Sequence, residues 1–255
     1  MILREKIELK KTMQISQIFM TDDDIIPELP PQIQSSIDSV KNLFSDMPYK
    51  IYNNSALRLF IQENFDKEVL WAYDKLKPYA FKCDLGRYCL LYKLGGWYVD
   101  VGIKMNILGK INLPDQLSAI FFRDRQRFTG TSWACQNGII YSKPSNPIFL
   151  ECINLIVKHC KNEYYGAGGL YPTGPSVLGK AVALHSESAS TIMFGDFLFL
   201  TPSYTFENTA FVLPDGMIFA WGKIGDQNRL QKSGVKGTNN YADMWERHDI
   251  YNLNL

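Results

Sequence analysis

The chain has 255 residues, 46% of them hydrophobic and 21% charged, with 27 Lys and Arg set against 26 Asp and Glu. That length is enough to bury a substantial core. A formal net charge of +1 excludes the basic footprint of a nucleic-acid-binding surface. No run reaches the ~18 apolar residues of a membrane-spanning helix, and MILREKIELKK lacks the apolar stretch of a signal peptide. The cysteines, at 83, 89, 135, 152 and 160, form no Cys-x-x-Cys pair and read as reduced thiols, so a cytoplasmic location is expected. The basic leader sets Arg4, Lys6, Lys10 and Lys11 beside Ile2, Leu3, Ile7 and Leu9. It leaves open a peripheral contact with the inner face of a membrane, against the plainer reading of a solvated leader.

In chain order, Thr12 to Met20 reads as a buried strand, followed by an acidic loop at Asp22, Asp23 and Asp24. Pro30 and Pro31 open a helix through about Ser45, with Ile33, Ile37, Val40 and Phe44 at helical spacing. Tyr49 to Tyr52 is a short strand. Ser55 is placed to cap a helix through Asn64, and Asp66 to about Lys77 is a further helix. Beyond Asn106, Ser118 to Phe122 and Gly138 to Tyr141 are strand-like, Pro147 to Cys160 is helical, and a helix begins at Thr173. Thr191 to Leu200 is β-rich, and Phe206 to Trp221 suggests a hairpin turning at Pro214-Asp215-Gly216. The alternation predicts an α/β fold, with no internal repeat or linker to divide the chain.

The densest chemistry lies between Cys83 and Asn106, CDLGRYCLLYKLGGWYVDVGIKMN. Asp84 and Arg87 stand three residues apart and share a helix face. Gly95-Gly96 stops that helix. Trp97, Tyr98 and Val99 then form a buried strand that delivers Asp100 to its C-terminal end, where open α/β sheets bind ligands. Read alone, Asp84 and Arg87 make an ordinary helix-surface ion pair worth ~0.3–0.5 kcal/mol, and Asp100 a turn residue. Read together, they make a site. The three histidines lack metal-ligand spacing. Gly-x-Ser-x-Gly, P-loop and Gly-x-Gly-x-x-Gly motifs are missing from the sequence, so hydrolase, P-loop and dinucleotide readings have no support.

This segment resembles the sugar-nucleotide-binding core of glycosyltransferase family 32, with the pattern Asp-x-x-Arg-Tyr, an apolar helix, and Gly-Gly-x-Tyr-x-Asp-x-Asp. Asp84, Arg87, Tyr88, Gly95, Gly96, Tyr98 and Asp100 match it, while Gly102 stands where the second Asp is expected. The resemblance implies a GT-A-type α/β fold with a mixed, mainly parallel central sheet and one domain over residues 1–255. About 12–106 would form the nucleotide-sugar half, and about 107–255 the acceptor side and closing tail. It implies transfer of a hexose, with retention, from a UDP- or GDP-sugar to a glycan or lipid-linked saccharide. Gly102 keeps a second reading open, a catalytically impaired sugar-nucleotide or glycan-binding protein, and slow hydrolysis of the sugar nucleotide is a third.

By the same resemblance Asp100, Asp84 and Arg87 are the catalytic residues. Gln17, Phe19, Tyr88, Gly96, Tyr98 and Gly102 join them in holding the donor. Asn137 and Thr173-Gly174-Pro175 are placed on the acceptor side; an Asn-Gly turn and helix-start punctuation are their plainer readings. A Mn²⁺ or Mg²⁺ ion on the diphosphate is expected through Asp100, weakened by Gly102, with Asp243 as the replacement ligand. Asn240, Trp245 and Lys236 are expected in a tail closing over the diphosphate, against the reading of a solvated tail docked by its aromatics.

Overall fold

In the computed structural model the described residues are 13–106, 113–124, 130–185, 191–200, 209–222, 235 and 237–255. Strand β1 (Gln14–Ile18) is followed by α1 (Pro31–Leu43), β2 (Tyr49–Tyr52), α2 (Asn54–Asn64), α3 (Lys67–Lys75), α4 (Tyr79–Leu94), β3 (Gly96–Val99) and β4 (Lys104–Met105). Then come β5 (Ala119–Arg123), β6 (Cys135–Ser142), α5 (Pro147–Lys161), α6 (Pro175–Leu184), β7 (Ile192–Phe199), β8 (Thr209–Val212), β9 (Ile218–Trp221) and α7 (Tyr241–Glu246).

The strands form one mixed sheet in the order β2-β1-β3-β6-β5-β7-β8-β9-β4. Pairs β1–β2, β1–β3 and β5–β7 are parallel. Strand β6 runs antiparallel to both β3 and β5. Consequently β1, β3, β5 and β7 all point the same way, and the C-terminal ends of β1, β3 and β5 meet the N-terminal end of β6 along one edge.

Alternation along the strands divides the core. Ile18, Tyr98 and Phe121 face the cluster packed under α2 to α6. Ile15, Trp97, Val99, Ile120 and Phe122 face the opposite cluster, with Val40 and Leu43 of α1. Helix α4 is buried on most of its circumference, from Phe81 to Leu91, as expected of a helix crossing the centre of a layer. Gly86 lets it approach α2: a Cβ there would lie 2.3 Å from Leu57 Cδ2. Gly95 ends the helix at φ 66°, and Gly96 follows at φ 88° with its missing Cβ aimed at the Gln14 carbonyl. These paired glycines turn α4 directly into β3 beside β1.

Three local expectations are corrected. Asn53, not Ser55, caps α2 by accepting from the Ala56 N–H. Gly174, not Thr173, is the N-cap of α6, because the Thr173 hydroxyl is used elsewhere. Asn137-Gly138 lies inside the eight-residue β6 and not in a turn. Among the described residues no helix is long and apolar enough to cross a membrane, and all five cysteines are free thiols.

Candidate active site

A cleft of about 430 Å³ opens at the shared strand edge. Phe19 and Met20 enter it after β1, Asp100 to Ile103 after β3, Asp124 after β5, and Gln136 and Asn137 from the start of β6. Helix α4 contributes Cys83, Asp84 and Arg87 from the side.

Arg87 is 5% exposed and lies between two carboxylates, with Nη2 3.1 Å from Asp84 Oδ1 and Nη1 3.3 Å from Asp100 Oδ1. Its guanidinium stacks 4.5 Å from the centre of the Tyr98 ring and donates to the Asn137 and Cys83 carbonyls. The Tyr98 hydroxyl donates to Asp100 Oδ1 at 2.7 Å. Gly138 leaves room for this carboxylate: a Cβ there would stand 3.2 Å from Asp100 Oδ2 and 2.9 Å from Ile103 Cδ1.

Asp84 is 7% exposed and accepts from Thr173 Oγ1 at 2.7 Å and Asn137 Nδ2 at 2.8 Å, besides its pairing with Arg87. Burial raises its pKa; Arg87, Thr173 and Asn137 act against that, while Asp100 adds to it. All three bonded neighbours are donors, so the arrangement holds the ionised form, which alone accepts from every one of them. Burial also works against the charge on Arg87, but Tyr98, Asp100 and Asp84 outweigh it and keep the pKa above its ordinary value. Asp84, Arg87 and Asp100 set two carboxylates against one guanidinium, and Asp124 also lines the cleft.

The structure brings Asp84, Arg87, Tyr98, Asp100, Gly102, Phe19, Asn137 and Pro175 to the cleft. Others stand outside its lining. Gln17 is fully buried, donating to the Val99 carbonyl and accepting from the Tyr49 hydroxyl, so it ties β1 to its neighbours. Gly96 is enclosed against Gln14. The Tyr88 hydroxyl donates to the Gly174 carbonyl and accepts from Asn137, which makes it a support beneath Asp84. The Thr173 hydroxyl, and from the cleft wall the Asn137 amide, both donate to Asp84.

The tail departs furthest from expectation. Asp243 is exposed and Asn240 caps α7 by accepting from the Ala242 and Asp243 N–H groups. The Trp245 indole donates to the Tyr165 carbonyl at 2.8 Å, away from the cleft lining. Lys236 lies outside the described residues. Among the described tail residues, Thr238, Asn239 and Tyr241 line the cleft. The Asn239 side chain accepts from the Tyr79 N–H, and the Tyr79 hydroxyl donates to Asp22, whose own N–H bonds to Gly237. Asp124 reaches the same cleft from the end of β5, two strands away from β3, which only the strand order reveals.

The residues present do not fit a preformed ion site. Asp100 is taken up by Arg87 and Tyr98, Gly102 offers no side-chain ligand, and Asp243 lies off the cleft. Among the described residues no group of three or more His, Cys, Asp or Glu side chains could hold a metal.

Residues 3–166 match the model of the capsular polysaccharide synthesis protein family, more than half of the chain. The chain belongs to that family. An uncharacterized glycosyltransferase of Acanthamoeba polyphaga mimivirus is 31% identical over 121 residues, 48% of this chain and 47% of the relative. The chain therefore spans about half the length of the curated relative it matches. The solved structure of the PaToxG glycosyltransferase overlays 71% of this chain and 72% of its own, with a TM-score of 0.50 at 18% identity. That likeness concerns the fold: a mixed-sheet, GT-A-like α/β architecture.

Proposed function

We propose that the chain is a glycosyltransferase that moves a hexose from a UDP- or GDP-sugar to a glycan or lipid-linked saccharide, with retention at the anomeric carbon. The observation that carries this reading is the buried Asp84–Arg87–Asp100 triad at the strand-end cleft. A family member with a GT-A-like fold has little other reason to bury two carboxylates around one guanidinium there, because ion pairs removed from water gain little net stability. The base would lie toward Phe19, at the end of β1, and the sugar beside Asp100. Asp100 and Arg87 offer one acceptor and one fixed donor fork to sugar hydroxyls. In the reaction the bond from C1 to the diphosphate oxygen breaks and a bond from C1 to the acceptor oxygen forms. The acceptor proton passes to the departing diphosphate, so the cleft needs no separate base.

Gly102 favours a second reading, a sugar-nucleotide-binding protein without turnover, since the described residues leave Asp100 without a second motif carboxylate. One assay separates the two. UDP- and GDP-hexoses are screened for a rise in Tm and then for nucleotide release, with Asp100→Asn as the comparison. Release by the wild type that falls about 10²-fold or more in Asp100→Asn supports turnover at this cleft. A rise in Tm with no release under any condition supports binding alone, and no rise with any sugar nucleotide overturns both.

A further inference from the structure

Tyr241 brings to the cleft a group that the fold itself does not use. It is the first residue of α7, and the chain just before it is tied down. Asn240 caps the helix, while the Asn239 side chain accepts from the Tyr79 N–H and donates to the Lys77 carbonyl. The Tyr241 ring packs 5.9 Å from the ring of Phe81, and a Cβ on Gly169 would stand 3.4 Å from its Cδ2 and Cε2. Both supports lead to Asp84. Phe81 precedes it by three residues on the same face of α4. Leu170 follows Gly169, and a Cβ on Gly174 would stand 3.2 Å from the Leu170 carbonyl and 3.4 Å from Asp84 Oδ2. Tyr241, Phe81, Gly169, Leu170 and Asp84 all line the cleft.

The hydroxyl on this fixed ring has no hydrogen-bond partner among the described residues. The one enclosed side-chain oxygen without a partner among them is Ser176 Oγ, so the Tyr241 hydroxyl is not sealed off and, on a residue lining the cleft, is open to it. Burial raises its pKa, and Asp84 and then Asp124 add to the rise. The phenol therefore keeps its proton at neutral pH and remains a donor.

We propose that Tyr241 is a donor-sugar-binding residue, its hydroxyl donating to a hydroxyl oxygen of a neutral hexose held beside Asp84. This rests on the transferase reading above, in which the sugar lies beside Asp100, the carboxylate that Arg87 links to Asp84. A phosphate oxygen is the poorer occupant there, since the Asp84 carboxylate repels it and Arg87 is already shared between two carboxylates. A sugar hydroxyl is neutral and accepts from the phenol while its own proton goes to a neighbouring oxygen. A ring already held in place also loses little freedom on binding.

The test is titration calorimetry on the full chain with Mg²⁺ in the buffer, using UDP, GDP, UDP-glucose, UDP-galactose and GDP-mannose. The variant is Tyr241→Phe, which keeps the packed ring and removes only the hydroxyl. The sugar nucleotide that binds the wild type most tightly should lose about tenfold in affinity, while the matching nucleoside diphosphate stays within about twofold. The Tm of the free variant should equal that of the wild type, because no bond within the protein is lost. An equal loss for sugar nucleotide and nucleoside diphosphate would put the hydroxyl on the nucleotide, and no loss for either would leave it without a sugar. A lowered Tm of the free variant would mean that the hydroxyl is bonded within the protein. Each of these three results overturns the proposal. If the wild type binds none of the ligands, the transferase reading itself has failed, a result distinct from sugar-nucleotide binding that Tyr241→Phe does not alter.

Discussion

The α4–β3 corner and the C-terminal tail both carry residues expected at the active site, but only the corner brings most of them to the cleft. In the corner, Asp84, Arg87 and Asp100 are linked by a helix repeat, a glycine stop and a short strand. Their relative positions follow from local geometry. In the tail, Asn240, Asp243 and Trp245 share a short helix, but where that helix docks depends on Phe81, Tyr165 and the α3–α5 layer. Among the described tail residues, those in the cleft prove to be Thr238, Asn239 and Tyr241. Short-range spacing determines a site when the segment is rigid by itself and fails when tertiary contacts choose which side chain faces inward.

The comparison is sharpest at Arg87. Arg87→Ala removes the cation between two nearly buried carboxylates and leaves Asp84 with neutral donors alone. Breaking a buried pair in this way costs about 3–5 kcal/mol, so Arg87→Ala should unfold at clearly lower urea or temperature, as well as losing activity. Asp243→Ala, on the exposed tail helix, should stay within about 0.5 kcal/mol of the wild type. Equal stability of the two variants would break the contrast between corner and tail.

A smaller effect is expected where the corner depends on distant chain. Thr173 gives Asp84 a hydrogen bond across 89 residues of sequence. Thr173→Val removes that bond to a charged group, worth about 1.5–3 kcal/mol, and Thr173→Ser keeps it. Donor turnover should fall in the valine variant mainly through kcat, because the loss is in how Asp84 is aimed, and should return in the serine variant. Loss in both variants would mean that the Thr173 methyl, and not its hydroxyl, matters.

The pattern of success and failure in the sequence follows the same division. Helix α4, its stop at Gly95 and the placing of Asp100 were legible because each depends on neighbours in the chain. Asn137 was not, since only pairing with β3 and β5 reveals that Asn-Gly here is strand, and the β5–β6 register shift between Ile120 and Phe122 is a tertiary feature. Such irregularities re-aim side chains beside functional sites. Thr173 looked like a helix cap because Thr before Gly-Pro is one by propensity; a buried carboxylate claimed its hydroxyl. Asp124 had no local signal, as its meaning depends on β6 lying between β3 and β5.

Charge gives a further way to test the tail. Two carboxylates around the one guanidinium of Arg87 offer no surplus positive charge to a diphosphate leaving group, which needs a cation to join it. With no preformed cage among the described residues, calorimetry should find little Mn²⁺ or Mg²⁺ uptake by the protein alone and clear uptake once UDP or GDP supplies phosphate oxygens. Because Asp243 stands off the cleft lining, Asp243→Ala should leave that uptake unchanged. Reduced uptake in Asp243→Ala would return the tail to the site. Full activity in excess EDTA would remove the ion and leave Lys or Arg side chains to offset the charge.

The smallest expected effect concerns His159, whose ring supports the loop that leads to Thr173. His159 Nδ1 lies 2.8 Å from the Pro172 carbonyl, and the ring stacks on Tyr164 at 4.3 Å. Burial lowers its pKa from 6.5; the bond to Pro172 opposes this, and Lys180 and Lys158 add to the lowering. The unfolded chain therefore takes up this proton at higher pH than the folded chain does. The resulting stabilisation is fully present above pH 6.5 and is lost as pH falls through the depressed folded value. The Tm of the wild type should accordingly drop more steeply than that of His159→Gln as pH is lowered below 6.5. Donor turnover of the folded protein should not change over the same interval, because folded His159 stays neutral there and its Nδ1–H keeps the bond to the Pro172 carbonyl. Parallel Tm–pH profiles for His159→Gln and the wild type would show that the His159 proton does not set the acid loss of stability.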